Sequence, residues 1–271
     1  MRKAARRRAL GQHFLIDGEV ADRTVQLADL DPGATVLEIG PGRGALTDRL
    51  LAAGHRVVAI EVDPELASAL EARRDDRLTI VRGDALQVDL ATLPPGPLPV
   101  VANLPYATGT AIVTRLLEHP ERFPRLTVML QLEVAERLCA SPNTRAYGSL
   151  TVLSALHAEA IFGFVVPPQA FSPRPQVDSA VVRLDVVTTP RAAVIDEALF
   201  RRVVRAAFAQ RRKTLRNALT AGFGSAVADA MLAAAEIDPR RRAETLSLDE
   251  FALLTSAAAR VRQRASDADH A

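Results

Sequence analysis

From residue 34 to residue 130 the chain alternates between two hydrophobic periods, and few folds accept both. Residues 34–39, 56–60, 78–81, 98–102 and 126–130 are short apolar runs rich in β-branched side chains, each about the length of a strand. Residues 44–53, 64–73 and 110–118 lie between them and read as helices, and Asp17 is placed to cap an earlier helix running to about Leu30. Strands alternating with helices in this way predict a parallel sheet wound on both faces.

The pattern then changes. Residues 158–166 and 177–187 read as strands separated by a loop that holds Pro167, Pro168, Pro173 and Pro175, so a hairpin-like excursion at the sheet edge is expected. After Thr188, Thr189 and Pro190 the strand signal stops, and residues 195–262 read as short helices broken at Gly222, Gly224 and Pro239. A chain of 271 residues is thus divided into two unequal domains, 1–188 and 189–271.

Composition narrows the classes of function. Cys139 is the only cysteine, and His13, His55, His119, His157 and His270 show no ligand-like spacing, so neither a disulfide nor a metal site is expected. The basic start, Arg2, Lys3, Arg6, Arg7 and Arg8, is followed by no apolar h-region, and no apolar run reaches the ~20 residues of a bilayer span, so a cytoplasmic location is expected. The net charge is only +2, but Arg201, Arg202, Arg205, Arg211, Arg212, Lys213 and Arg216 crowd one segment and Arg240, Arg241 and Arg242 follow. Such a cluster is either a solvated helix face or a surface for an anionic polymer such as RNA.

The segment Glu38-Ile39-Gly40-Pro41-Gly42-Arg43-Gly44 joins the first strand of the alternating region to its helix, where glycines permit a tight turn and close backbone approach to a ligand. A plain strand-to-helix connection would look similar. The next strand runs into Glu61, where a carboxylate in such a fold accepts from both ribose hydroxyls, which points to an adenosine-containing cofactor. A dinucleotide wants G-x-G-x-x-G, whereas this turn reads G-x-G-x-G with an acid two residues ahead, and that spacing favours S-adenosyl-L-methionine. Glu38 is then either a partner for the cationic end of that cofactor or a cap on neighbouring amides. Asp84, in Gly83-Asp84-Ala85, stands at the same sheet edge and suits the adenine amino group.

Asn103-Leu104-Pro105-Tyr106 follows the fourth strand of the region. Methylating an exocyclic adenine amine requires its lone pair to be drawn out of conjugation. The Asn103 side-chain oxygen and the Leu104 carbonyl can accept the two amine protons and stabilise the charge that develops on nitrogen. Pro105 stiffens the turn, and Tyr106 offers a face on which an extruded base can stack. Phe171 is a candidate second wall for that base, or else a hydrophobic plug beneath the loop.

In order along the chain, Gly11-Gln12-His13-Phe14-Leu15, Glu38 to Gly44, Glu61, Asp84, Asn103 to Tyr106, Phe171 to Leu184 and the 210–217 segment QRRKTLRN resemble the motifs of the small-subunit ribosomal RNA adenine dimethyltransferases. The resemblance covers nearly the whole chain. It implies an α/β fold, a Rossmann-like S-adenosylmethionine methyltransferase sheet with helices on both faces, plus a small all-α C-terminal domain that binds RNA through Arg211, Arg212, Lys213 and Arg216. It also implies cofactor contacts from His13, Leu15, Gly40, Glu61, Asp84 and Asn103, with Asn103 facing the substrate amine as well. Many relatives carry Asn where His13 stands, and lysine where Leu132 stands, so no RNA contact is assigned to the 131–135 segment. Members dimethylate two adjacent adenosines in the hairpin near the 3′ end of small-subunit rRNA, within the immature subunit, and a monomer is expected. Two other readings stay open: a large-subunit adenine methyltransferase of the macrolide-resistance type, which shares the catalytic motifs, and a non-catalytic RNA-binding factor on the same fold.

Overall fold

The structure, a computed structural model, describes residues 13–269, with side chains described to residue 263. Gln12 and the Arg2 to Arg8 basic start lie outside the described residues. The chain divides into two compact units, Met1–Glu136 with Ala158–Thr188, and Arg137–His157 with Thr189–Ala271.

The first unit is built on a seven-stranded sheet. Its strands are β2 (Thr35–Ile39), β3 (Arg56–Glu61), β4 (Leu78–Arg82), β5 (Val100–Asn103), β6 (Arg125–Gln131), β7 (Ala158–Val166) and β9 (Ser179–Val186), in the spatial order β4-β3-β2-β5-β6-β9-β7. Strands β2 to β6 pair in parallel. The helices α1 (Gly18–Ala28), α2 (Ala45–Ala52), α3 (Pro64–Glu71) and α4 (Gly109–Leu117) fall where the period changes from two to near 3.6. Asp17 caps α1 by accepting from the amides of Glu19 and Val20 at 3.0 and 3.2 Å. Asp63 caps α3 in the same way.

The expected hairpin is present, but its second strand is not at the edge. β9 lies between β6 and β7, antiparallel to both. Burial explains the order: Ser179 to Val182 of β9 are all buried, as a strand covered on both faces must be, while β7 leaves Phe162 and Val165 40% and 48% exposed and takes the edge. The loop between them holds β8 (Phe171–Ser172), which pairs antiparallel with β1 (Phe14–Leu15).

The second unit contains only helices among its described elements: α6 (Ser149–Ala155), α7 (Glu197–Phe208), α8 (Leu215–Phe223), α9 (Ser225–Ala234) and α10 (Leu248–Asp269), with α5 (Leu132–Leu138) leading into it from the first unit. The boundary read from the sequence is incomplete. The division at Thr188/Thr189 is present, but residues 137–157 also belong to this unit. Tyr147 holds them there. Its ring lies 6.0 Å from Phe208 and its hydroxyl donates to the Leu246 carbonyl at 2.7 Å, while Val152 and Leu156 join the same buried cluster.

Candidate active site

A parallel sheet whose winding reverses leaves a crevice at the carboxyl ends of the strands on either side of the reversal. Here the chain runs outward through β2, β3 and β4, then returns to place β5 on the other side of β2. The crevice is a cavity of about 230 Å³ in the first unit, and His13, Leu15, Glu38, Gly40, Glu61, Asp84, Asn103 and Pro105 all line it. Every cofactor contact named from the sequence therefore reaches one cavity.

The glycine-rich turn makes the floor. Gly40 and Gly42 both take left-handed φ, of 67° and 59°, which L side chains adopt rarely. At Gly42 space is also closed, because a Cβ would sit 3.0 Å from the Phe14 ring. The Arg73 guanidinium braces the turn by donating to the Arg43 carbonyl at 2.8 Å and pairing with Asp48.

The acids of the cavity differ in their partners. Glu61 is 2% exposed, and its two oxygens accept from the backbone amides of Gly42 at 3.1 Å and Asp63 at 2.8 Å. Burial pushes its carboxyl above the ordinary range, and those two amides pull it partly back. Asp84 accepts from the Leu86 amide at 2.9 Å. Arg115 of α4 clamps the loop that carries Asp84, donating to the carbonyls of Ala85 and Val88. Glu38 is 1% exposed and accepts from the Thr47 hydroxyl at 2.7 Å and from the Thr47 backbone amide, the second being the kind of partner a capping role predicts. Burial drives its carboxyl up to about 8, with the Asp48 carboxylate adding to the rise and the Thr47 bond opposing it.

At the end of β5 the Asn103 side-chain nitrogen donates to the His13 carbonyl at 3.0 Å. A carbonyl only accepts, so the amide orientation is fixed and the Asn103 oxygen is left for the cavity. Leu104 is buried and its amide donates to the Met129 carbonyl. The Tyr106 hydroxyl is bonded to Ser179 at 2.6 Å, and its ring lies 5.2 Å from that of His13. His13 in turn bonds the Pro173 carbonyl through Nδ1 at 2.8 Å. Phe171 does not form a second wall. Neither it nor Tyr106 lines the cavity, but Tyr106 is only half-buried, whereas Phe171 is 3% exposed and packs in the core with Leu15, Val20 and Val166, because pairing of β8 with β1 sets it opposite Leu15. Arg73 and Arg115 carry no local sequence signal, since each acts on partners remote along the chain.

Among the described residues three carboxyl groups, those of Glu38, Glu61 and Asp84, line the cavity with a single arginine, Arg43, a lining poorer in cations than a pyrophosphate requires. The profile of the ribosomal RNA adenine dimethylase family matches residues 3–260. The chain belongs to this family. Similar proteins include the "Ribosomal RNA small subunit methyltransferase A" of Syntrophotalea carbinolica, 50% identical over 92% of this chain and 95% of that one, and its namesake from Magnetococcus marinus, 49% identical over 91% and 89%. A dimethyladenosine transferase from Plasmodium falciparum shares the fold, with a TM-score of 0.73 at 24% identity over 89% of this chain and 96% of that one. The 23S rRNA methyltransferase ErmE gives 0.67 at 28% identity over 91% and 99%. The family's chemistry is methyl transfer from S-adenosylmethionine to adenine amines of ribosomal RNA.

The buried Glu38 also couples the stability of the unliganded protein to pH. Its folded value of about 8 lies above the ordinary 4.5, so the folded state binds the extra proton. The stability this contributes is fully present below 4.5 and is lost as pH rises through 8. Thermal unfolding of the unliganded protein between pH 5 and 9 is expected to show this decline, and Glu38→Gln is expected to flatten it. Equal slopes for the two proteins would show that Glu38 is ionised throughout.

Proposed function

We propose that this protein dimethylates the exocyclic amines of two adjacent adenosines in the 3′-terminal hairpin of small-subunit rRNA, acting as a monomer on the immature subunit. The observation that carries the proposal is the fixed amide of Asn103, which leaves an acceptor oxygen at the cavity. S-adenosylmethionine, when bound, supplies an electrophilic methyl group on a positively charged sulfur. Glu61 is suited to its ribose, Asp84 to its adenine and Glu38 to its cationic end. Asn103 and the Leu104 carbonyl take the two amine protons as hydrogen bonds, which turns the lone pair out of conjugation and stabilises the positive charge on nitrogen. That ammonium is acidic enough to lose its proton to water, so no strong base is required of the protein.

Tyr106 is the platform for the base, with its hydroxyl tied to Ser179 to hold the ring in place. Stacking of a base on an aromatic ring contributes about 1–3 kcal/mol. Tyr106→Ala is therefore expected to slow single-turnover methylation by roughly tenfold or more, and Tyr106→Phe much less, because the face survives. Equal losses in both would assign the role to the hydroxyl instead.

The large-subunit reading is less favoured, since similarity to the small-subunit relatives runs near 50% and that to ErmE at 28%. The test is to map methylated nucleotides on rRNA from a deletion strain and from the same strain carrying the gene. Loss and return of adjacent dimethyladenosines in small-subunit rRNA is the expected result. Changes confined to large-subunit rRNA would overturn the proposal.

The 210–217 segment supports only part of its expected RNA role. Arg211, Arg212 and Lys213 do not lie within helical turns but in the connection between α7 and α8, because Thr214 begins α8 as its cap. Arg211 donates to the carbonyls of Arg145 and Tyr147, and Arg216 forms a two-point pair with Asp229 at 2.6 and 2.8 Å. Arg212 and Lys213 are exposed and stay as the proposed contacts of this segment.

A further inference from the structure

Residues Ala198, Arg201, Arg202, Arg205 and Ala206 recur at i, i+3, i+4, i+7 and i+8, which brings them onto one face of α7. Gly222, near the end of α8, meets that face so closely that a Cβ on it would lie 2.8 Å from the Ala206 Cβ. Together the six line a groove of about 550 Å³ in the second unit. Alanine and glycine keep it open, and guanidinium groups edge it.

The charges of the basic segment are not equal. Arg216 pairs with Asp229, Arg240 with Asp238 and Arg241 with Glu250, and Arg201 shares Glu197 with His157. Arg202 and Arg205, on the groove, have no carboxylate partner among the described residues. Arg202 is also held in position, its guanidinium 4.6 Å from the centre of the Phe223 ring and donating to the Gly222 carbonyl at 3.1 Å. A guanidinium fork so held loses little freedom on meeting a phosphate, whose oxygens it can engage at two points.

We infer that this groove binds the sugar–phosphate backbone of rRNA, with Arg202 and Arg205 as its phosphate partners. The inference rests on the proposed rRNA substrate and moves the main electrostatic contact of the second unit from the 210–217 segment to α7. The contact positions RNA without reading its sequence.

The test is a salt titration of the full-length protein binding to small subunits purified from a strain that lacks the enzyme. Arg202→Gln with Arg205→Gln is compared with Arg211→Gln with Arg212→Gln, with Arg202→Lys with Arg205→Lys, and with wild type. An arginine that no longer neutralises its phosphate should lower the log–log slope by about 0.7 to 0.9, so the first pair is expected to flatten it by about 1.4 to 1.8 and weaken binding tenfold or more. The lysine pair is expected to keep the slope with weaker binding, since charge survives without the fork, and it guards against a folding defect in the glutamine pair. S-adenosylmethionine affinity should not change in either. Wild-type affinity and slope in the Arg202/Arg205 glutamine variant would overturn the groove, as would weaker binding with an unchanged slope. Failure of the wild type itself to bind subunits would instead overturn the rRNA reading.

Discussion

Asn103→Ala is expected to fold normally and to lose methyl transfer by about a hundredfold or more. The side chain stands at the end of β5, half-buried, with its nitrogen committed to the His13 carbonyl and its oxygen left for the amine. Removing one preorganised group that stabilises a developing charge typically costs about 10²–10³ in rate. Asn103→Asp sharpens the test. It keeps an acceptor, but an oxygen then faces the His13 carbonyl where a donor stood, so the side chain must turn away or take up a proton. Aspartate is therefore expected to rescue little. Single-turnover methylation of undermethylated small subunits, with thermal unfolding run alongside, measures the effect. A rate near wild type in either variant would mean that the amine is held elsewhere, and the mechanism would have to be abandoned.

Much of the first unit is legible in the sequence because its signals are local. A change of hydrophobic period over a short stretch marks each strand and helix, and Gly40, Glu61, Asp84 and Asn103 all stand at or just beyond the carboxyl ends of strands that a parallel sheet must bring together. What is not legible depends on partners far along the chain. Residues 137–157 look like a continuation of the sheet domain, yet Tyr147 bonds a carbonyl 99 residues away and carries the segment into the helical unit. Arg115 reaches carbonyls 27 and 30 residues back, and no spacing rule marks such a bond. Phe171 misleads for a related reason. Its motif fixes an aromatic residue in the loop, but only the two-residue pairing of β8 with β1 decides that the ring turns into the core. The basic segment shows the same limit: charge is countable from the sequence, while the Asp229 carboxylate that cancels it at Arg216, and the lack of any such partner at Arg205 among the described residues, are not.

Glu61→Ala is expected to weaken S-adenosylmethionine binding by more than tenfold. The Gly42 and Asp63 amides each bond one oxygen of the carboxylate and the Val62 amide adds a third bond, which orients the group at the end of β3. A carboxylate so oriented can accept from neighbouring hydroxyls of a ribose. Hydrogen bonds to a charged group contribute about 1.5–3 kcal/mol each, so losing two exceeds the roughly 1.4 kcal/mol of a tenfold change. The same substitution frees the Gly42 amide and loosens the turn that forms the cavity floor. Glu61→Gln is not expected to restore binding. Its amide nitrogen must face the N–H of either Gly42 or Asp63, donor against donor, and whichever oxygen remains serves one hydroxyl at most. Both variants should keep most of their rate at saturating cofactor, because Glu61 holds the ribose and does not touch the reacting amine. Calorimetry for affinity, beside kcat and KM for the cofactor, separates these quantities. Unchanged affinity in a folded Glu61→Ala protein would remove Glu61 from the site, and a loss confined to kcat would place it at the amine instead.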